Sequence, residues 1–377
     1  MNPHFVAVLL AMCAFVIPTA GRFVFTPILP LMQTDFGVSI VAAGWLAAAN
    51  HLGYLAGALT AIRFPLSERG TIRVGLAGVV LSIAAMAGVQ SVEAWFALRV
   101  IAGVTSAWLL IHTSAWGLRN AVAAQRPQWS AYVFGGSGLG IITTGVLCAF
   151  WTLNGGGAAG AWLACGILLG VFALIVWPRA GDAGVHLQAA KIATTHAPIP
   201  GIGRLIFAYG LCGFGYVTAA TFLPVLARQV LGPSGGYVWF WPMFGVAAIV
   251  STFLAARLGV RVGDIVAFRW CAVVMGIGNA AMALLSASSA LAFGTIAVGG
   301  TFMVATMIGL REARSRAPND ATRVISRMTI AWAVGQCVGP VVSAYLTGAK
   351  ESFTIALWVA AGATFVASVV TPPRLGR

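Results

Sequence analysis

From its first residue onward the chain alternates apolar runs of about 20 residues with short polar breaks, and that run length is what a helix needs to cross a bilayer's hydrocarbon core. The runs fall at about 4–30, 39–61, 71–91, 93–118, 128–151, 158–178, 202–226, 237–257, 264–286, 289–311, 322–347 and 351–371. Within hydrocarbon every backbone N–H and C=O must be satisfied inside the segment, and no ten-residue alternation suggests a barrel, so each run is predicted to be a helix. The pattern implies an all-α membrane protein with twelve transmembrane helices in two six-helix bundles. The N-terminal bundle is expected over 1–178 and the C-terminal bundle over 202–377. Between them lies a cytoplasmic linker, 179–201, with Gly181, Asp182, Lys191, Pro198 and Pro200. The first run is expected to remain as a span. Met1 to His4 carries no Lys or Arg, and Pro18 and Thr19 precede Ala20 where a signal peptide would place an A-x-A site.

Composition sharpens this picture. Of 377 residues 60% are hydrophobic and 8% charged, against about 25% charged in soluble domains. So few charges cannot cover a water-facing surface, and lipid must solvate much of the exterior. The basic residues behind the net charge of +14 sit mostly in short clusters between apolar runs, which fits membrane orientation better than nucleic acid. Of the 22 basic residues, only Arg228 and Lys350 fall in the opposite loops, and only Arg22 and Arg99 lie within spans. The rest share one face when both termini are cytoplasmic, which the positive-inside rule expects of an inner-membrane protein of bacterial type. The six cysteines lie in apolar runs without metal-ligand or disulfide spacing and are read as small hydrophobes. Trp95, Trp129, Trp151, Trp177 and Trp270 lie near span ends and read as interfacial anchors.

The halves also echo each other. An offset of 194 residues pairs Gly21 with Gly215, Leu29-Pro30 with Leu223-Pro224, Trp45 with Trp239 and Arg63 with Arg257. Parallel repeats of this kind place a substrate site at the repeat interface near the midplane.

Several segments then resemble the major facilitator superfamily, and within it the YbfB/YjiJ-type branch. They are Gly21-Arg-Phe-Val-Phe-Thr-Pro-Ile-Leu-Pro30, the stretch Gly44 to Gly57, Tyr209-Gly-Leu-Cys-Gly-Phe-Gly-Tyr216, Ala220-Thr-Phe-Leu-Pro224 and Gly299-Gly-Thr-Phe302. The resemblance covers nearly the whole chain. It implies the pseudo-symmetric major facilitator fold and alternating access, with the first, fourth, seventh and tenth spans facing a cavity. Arg99 and Gly103 match the fourth-span signature. The loop after the second span keeps Gly57, Arg69 and Arg73 but has no Asp before its basic cluster. The fifth-span run Gly135 to Gly140 has no proline. Arg99, Gly103, Arg69 and Arg73 are accordingly the candidates for coupling or gating.

Arg22 is the sharpest candidate for substrate binding. A charge at the centre of a span costs at least about 2.5 kcal/mol and usually faces a cavity; snorkelling to the headgroups is the alternative. No carboxylate lies within a predicted span, so a proton site would fall to His51 or His112, each otherwise a neutral histidine bonded between helices. Asn50 and His51 are adjacent, and Tyr54 shares a helix face with His51. Gln336 is a mid-span amide flanked by Gly335 and Gly339, and structural bonding is as reasonable for it as binding. Tyr216 stands at the repeat position of Arg22, and Trp239 is a ring that could stack on substrate. The substrate-binding candidates are thus Arg22, Asn50, His51, Tyr54, His112, Tyr216, Trp239 and Gln336.

The function expected is secondary transport of a small organic solute, with an anionic group favoured by the cationic spans and efflux by family habit. An intramembrane enzyme is the alternative, but neither H-E-x-x-H nor G-x-S-x-G occurs. A receptor would bring a soluble output domain, which the short loops leave no room for. A monomer working among membrane lipids, without cofactor, metal or nucleic acid, is expected.

Overall fold

The computed structural model describes residues 2–61, 66–181, 199–233, 235–284, 287–317, 321–348 and 352–374. The predicted linker's 182–198, together with Arg63, Lys350 and Arg377, lies outside them, as do the side chains of Arg257 and Arg261. The helices are α1 (Pro3–Phe23), α2 (Phe25–Phe36), α3 (Ile40–Thr60), α4 (Glu68–Ala85), α5 (Val92–Ala123), α6 (Ser130–Leu153), α7 (Ala158–Val176), α8 (Ile202–Leu231), α9 (Phe240–Val262), α10 (Asp264–Leu284), α11 (Ser288–Arg316), α12 (Ala321–Thr347) and α13 (Thr354–Val370). No strand occurs among the described residues.

Taken together, α1 and α2 form one crossing of 34 residues, and among the described residues ten stretches are long and apolar enough to span a bilayer. The 21-residue α3 and the shorter apolar α13 bring the crossings to twelve. The fold is therefore the all-α, twelve-span arrangement expected from the hydrophobic pattern.

Local chemistry explains where helices start and stop. Ser39, Ser67 and Ser91 each accept a backbone N–H three residues on, from Ala42, Gly70 and Ala94, and so cap α3, α4 and α5. Gly37 takes a left-handed conformation, φ 64°, that closes α2. Because Ser67 caps α4, that helix starts at Glu68 and takes Arg69 and Arg73 out of the loop into its first turns. At the other end of the sequence, α11 runs on to Arg316 and encloses Glu312, which the apolar pattern leaves just beyond its span.

The first crossing is not one continuous helix. It breaks at Val24, close to Pro27 and Pro30. Pro27 has no N–H to offer the Phe23 carbonyl, and Pro30 none for that of Thr26.

The chain forms two compact units. One comprises Met1–Gln188 with Gly232–Gly245, and the other Ala189–Leu231 with Val246–Arg377. In the first unit α5 packs on α1, α3 and α4, and α1 also packs on α6. The stretch Gly232–Gly245 lies on α6, with the Trp239 ring edge-on to Phe150 at 5.9 Å and Trp241 and Pro242 against Gly145. In the second unit α8 packs on α11, α12 and α13, and α10 on α11 and α13.

Small residues set the closest crossing. A Cβ added to Gly53 of α3 would fall on the Val100 carbonyl of α5. One added to Gly103 of α5 would fall on the Asn50 carbonyl and lie 2.7 Å from the Tyr54 nitrogen. With no hydrophobic force between helices in lipid, such backbone-to-backbone approach is a main source of association.

One expectation for a single residue changes. Trp95 is no interfacial anchor: it is buried and donates its indole N–H to the Met86 carbonyl at 3.3 Å. Trp177 and Trp270 are exposed, as anchors should be. All six cysteines are free.

Candidate functional site

The break at Val24 is held by a side chain. The last carbonyls of a helix need partners from outside it. Arg99, fully buried on α5, donates from Nη1 to the Gly21 carbonyl at 3.1 Å and from Nη2 to the Arg22 carbonyl at 3.0 Å. Its Nε donates to the Leu46 carbonyl of α3 at 3.3 Å, and its guanidinium lies 5.1 Å from the Phe25 ring centre. One cation thus ties α1, α3 and α5 together. Asn50 adds a bond from Nδ2 to the Arg99 carbonyl at 3.1 Å. Gly103, one turn further along α5, is where α3 approaches closest.

Arg22 projects from the same turn of α1 and is half-buried. Its guanidinium lies over the Tyr54 ring at 4.2 Å from the centre and near the Phe23 ring at 5.3 Å. The structure therefore brings Arg22 together with Tyr54, and with them His51, which is buried on the same helix and feels the charges of both Arg22 and Arg99. Buried polar atoms surround this cluster: His51 Nδ1, Asn50 Oδ1 and Ser106 Oγ have no hydrogen-bond partner among the described residues. Ser106 stands on α5 next to Gly21. It belongs with the cluster, yet nothing in a serine within an apolar run signals it.

His112 is separate. It lies 13 residues from Arg99 along α5, roughly 20 Å at the rise of an α-helix. Its Nε2 is 3.4 Å from the Ala61 carbonyl at the end of α3, a structural tie.

In the second unit Tyr216 and Gln336 meet. The Gln336 side-chain nitrogen is hydrogen-bonded to the Tyr216 hydroxyl, and both residues are buried. The Tyr216 ring is stacked between Phe302, 5.0 Å away, and Trp332, 5.2 Å away. Two repeat-related positions thus carry different chemistry: a guanidinium on an aromatic ring at 22, and a phenol in an aromatic stack at 216. Trp239 is 44% exposed and contacts Phe150, so it joins neither cluster.

The gating candidates lie at the basic ends of the helices. Arg69 Nη2 donates to the Pro178 carbonyl at 2.7 Å, and Arg73 donates from Nε and Nη2 to the Trp177 carbonyl at 3.2 and 3.0 Å. Both arginines fasten the start of α4 to the end of α7. The acid that the loop signature lacks is supplied by Glu68, which takes Arg119 Nη2 of α5 at 2.5 and 2.7 Å. A search for Asp at one position of the loop passes it over. The second unit repeats this device: Asp264, first residue of α10, takes Arg311 of α11 at 2.5 Å.

No group of His, Cys, Asp and Glu suited to a metal occurs among the described residues. What the clusters offer is hydrogen bonding, cationic charge and aromatic surface.

Comparison with known proteins bears on the fold and the family. The nucleoside transporter NupG, solved as a point mutant, superposes with a TM-score of 0.75 at 12% identity, covering 97% of this chain and 98% of that one. A bacterial homologue of the human lysosomal transporter Spinster, in an inward-facing, unoccupied conformation, gives 0.73 at 14% identity, covering 98% of each. These similarities show the fold. By sequence, the chloramphenicol resistance protein of Streptomyces lividans is 26% identical over 96% of this chain and 94% of its own length. The uncharacterized MFS-type transporter YceJ of Bacillus subtilis (strain 168) is 36% identical over a quarter of each chain. The family model described as "Uncharacterised MFS-type transporter YbfB" matches residues 18–372, and the chain therefore belongs to this family of major facilitator superfamily transporters.

Proposed function

We propose that the chain is a secondary transporter that exports a small, polar organic solute by alternating access, with Arg22 as the principal recognition group. The observation that carries this reading is the Arg22–Tyr54 pair, set beside the buried His51 Nδ1, Asn50 Oδ1 and Ser106 Oγ. Leaving a buried donor or acceptor unsatisfied costs about 1–3 kcal/mol. A solute with hydroxyl or amide groups relieves that cost, and an anionic or electron-rich oxygen suits the guanidinium. Within the second unit, the Tyr216–Gln336 pair forms its own cluster, whose ring and amide suit a planar or polar moiety. Arg99 and Gly103 act on this site indirectly by holding the broken helix from which Arg22 projects. Arg69 and Arg73 serve gating by fixing the ends of α4 and α7.

Export is the direction we favour, because the relative aligned over nearly its whole length is a chloramphenicol resistance protein. Chloramphenicol is accordingly the first solute to try. Expression in a sensitive bacterium is expected to raise survival on it, and the Arg22→Ala variant to lose that protection. Flux into proteoliposomes should fall about tenfold or more in Arg22→Ala, the scale of one charged hydrogen bond. No protection by wild type removes chloramphenicol as substrate, and equal flux by both proteins for a proven substrate removes Arg22 from recognition.

We further propose that the chain works as a monomer and that it lies in a bacterial inner membrane with both termini cytoplasmic, the orientation resting on its one-sided arginines. Reporter fusions at the two ends should give the same cytoplasmic signal, and opposite signals would overturn the orientation.

A further inference from the structure

Beyond α13 the chain is gripped by arginines. Arg204 at the start of α8 donates from Nε to the Val370 carbonyl at 2.9 Å, and Arg269 of α10 from Nη2 to the next carbonyl, Thr371, at 3.2 Å. Arg374 reaches from the C-terminal stretch to the Val262 carbonyl at 2.7 Å, just before α10. All three side chains are exposed. Arg204 and Arg269 bond consecutive carbonyls, so both side chains reach the same short stretch at the end of α13. A guanidinium has five N–H donors, and each of these three spends one on a carbonyl.

The carboxylates of this region are already engaged. Asp264 is bonded by Arg311, and the buried Glu312 by Arg316, whose own Nη2 holds the Pro373 carbonyl at 2.6 Å. Carbonyl dipoles satisfy hydrogen bonds but do not cancel net charge. Among the described residues no carboxylate is left over for the cluster, which keeps N–H donors and net charge to offer an anion.

Its setting defines which anion. The adjacent Trp270 is 63% exposed. One turn on, along the same face of α10, Val274 is exposed, and Val369 is 77% exposed near the end of α13, which packs against α10. The basic cluster thus lies next to apolar helix surface with an exposed indole beside it. We propose that Arg204, Arg269 and Arg374 bind the headgroup phosphate of an anionic phospholipid, whose acyl chains lie along α10 and α13. The inner leaflet of a bacterial membrane is rich in such lipids, and each basic residue near that surface adds attraction. This site stands apart from Arg22 and does not rest on the identity of the transported solute.

The test is thermal unfolding of the full-length purified protein in neutral detergent, titrated separately with dioctanoyl phosphatidylglycerol, dioctanoyl phosphatidylcholine and inorganic phosphate. A ligand of the folded state raises the melting temperature. Phosphatidylglycerol is expected to do so, with the apparent affinity falling roughly thirtyfold in R204Q/R269Q. Arg126→Gln, an exposed charge of the other unit, should behave as wild type. An equal shift with phosphatidylcholine would mean that the chains alone bind, and an equal shift with inorganic phosphate that any small anion serves; either result overturns the proposal. So does an unchanged affinity in the double variant. Should the double variant not fold, native mass spectrometry of Arg204→Gln decides: fewer phosphatidylglycerol adducts than wild type support the site, and equal numbers reject it.

Discussion

Arg99→Gln is expected to lower the stability of the folded protein by about 4 kcal/mol, the scale of two or three buried carbonyls left without donors. The shorter amide cannot reach the Gly21, Arg22 and Leu46 carbonyls together, and the first two lie where the helix breaks. Each buried orphan costs about 1–3 kcal/mol. Arg99→Lys should recover roughly half, because an ammonium keeps the charge but lacks the planar fork that addresses adjacent carbonyls. Unfolding in graded denaturing detergent measures both variants. Wild-type stability in Arg99→Gln would mean that the guanidinium does not hold the break.

Gly53→Ala is expected to cost about 3 kcal/mol, at the upper end for overpacking. Its methyl group would collide with the Val100 backbone carbonyl, and backbone yields less readily than a side chain. Only separation of α3 from α5 relieves the clash, and that loosens the Asn50 and Arg99 bonds across the same crossing. Gly135→Ala is the control. Nothing lies within 4 Å of its added Cβ, so alanine should be neutral or gain up to about 1 kcal/mol of helix propensity. Equal losses at both positions would show that the crossing has no special role.

These two residues show how much could be read in advance. Run length alone placed the twelve crossings, because a bilayer fixes how much apolar helix is needed. Arg22 stood out as a charge within a span, and the repeat drew attention to Tyr216. The partners were beyond reach. Arg99 bonds carbonyls 77 and 78 residues away, and Gln336 meets Tyr216 across 120 residues. In a soluble helix the apolar stripe would reveal which face turns inward, but lipid makes the outward face apolar too, and the periodic signal fades. That is why Ser106 passed unnoticed, and why His112, another histidine in the same span as Arg99, could not be separated from the Arg22 cluster. Glu68 was hidden differently: a carboxylate one residue past a serine cap looks like an ordinary helix start until Arg119 is seen to reach it.

The interruption at Val24 carries a mechanical consequence. Two rungs of the backbone ladder are already missing at the prolines, and two neighbouring carbonyls are satisfied from α5. The angle between the two rods of this crossing is therefore set less by the backbone ladder than by the Arg99 bonds. The 12-residue α2, a lever of about 18 Å, rests on α6 and α7, whereas α1 is pinned to α5. Arg22 sits at the elbow. A solute gripped there would feel, and in turn bias, the swing of the outer arm, so that occupancy and shape are linked through a single joint.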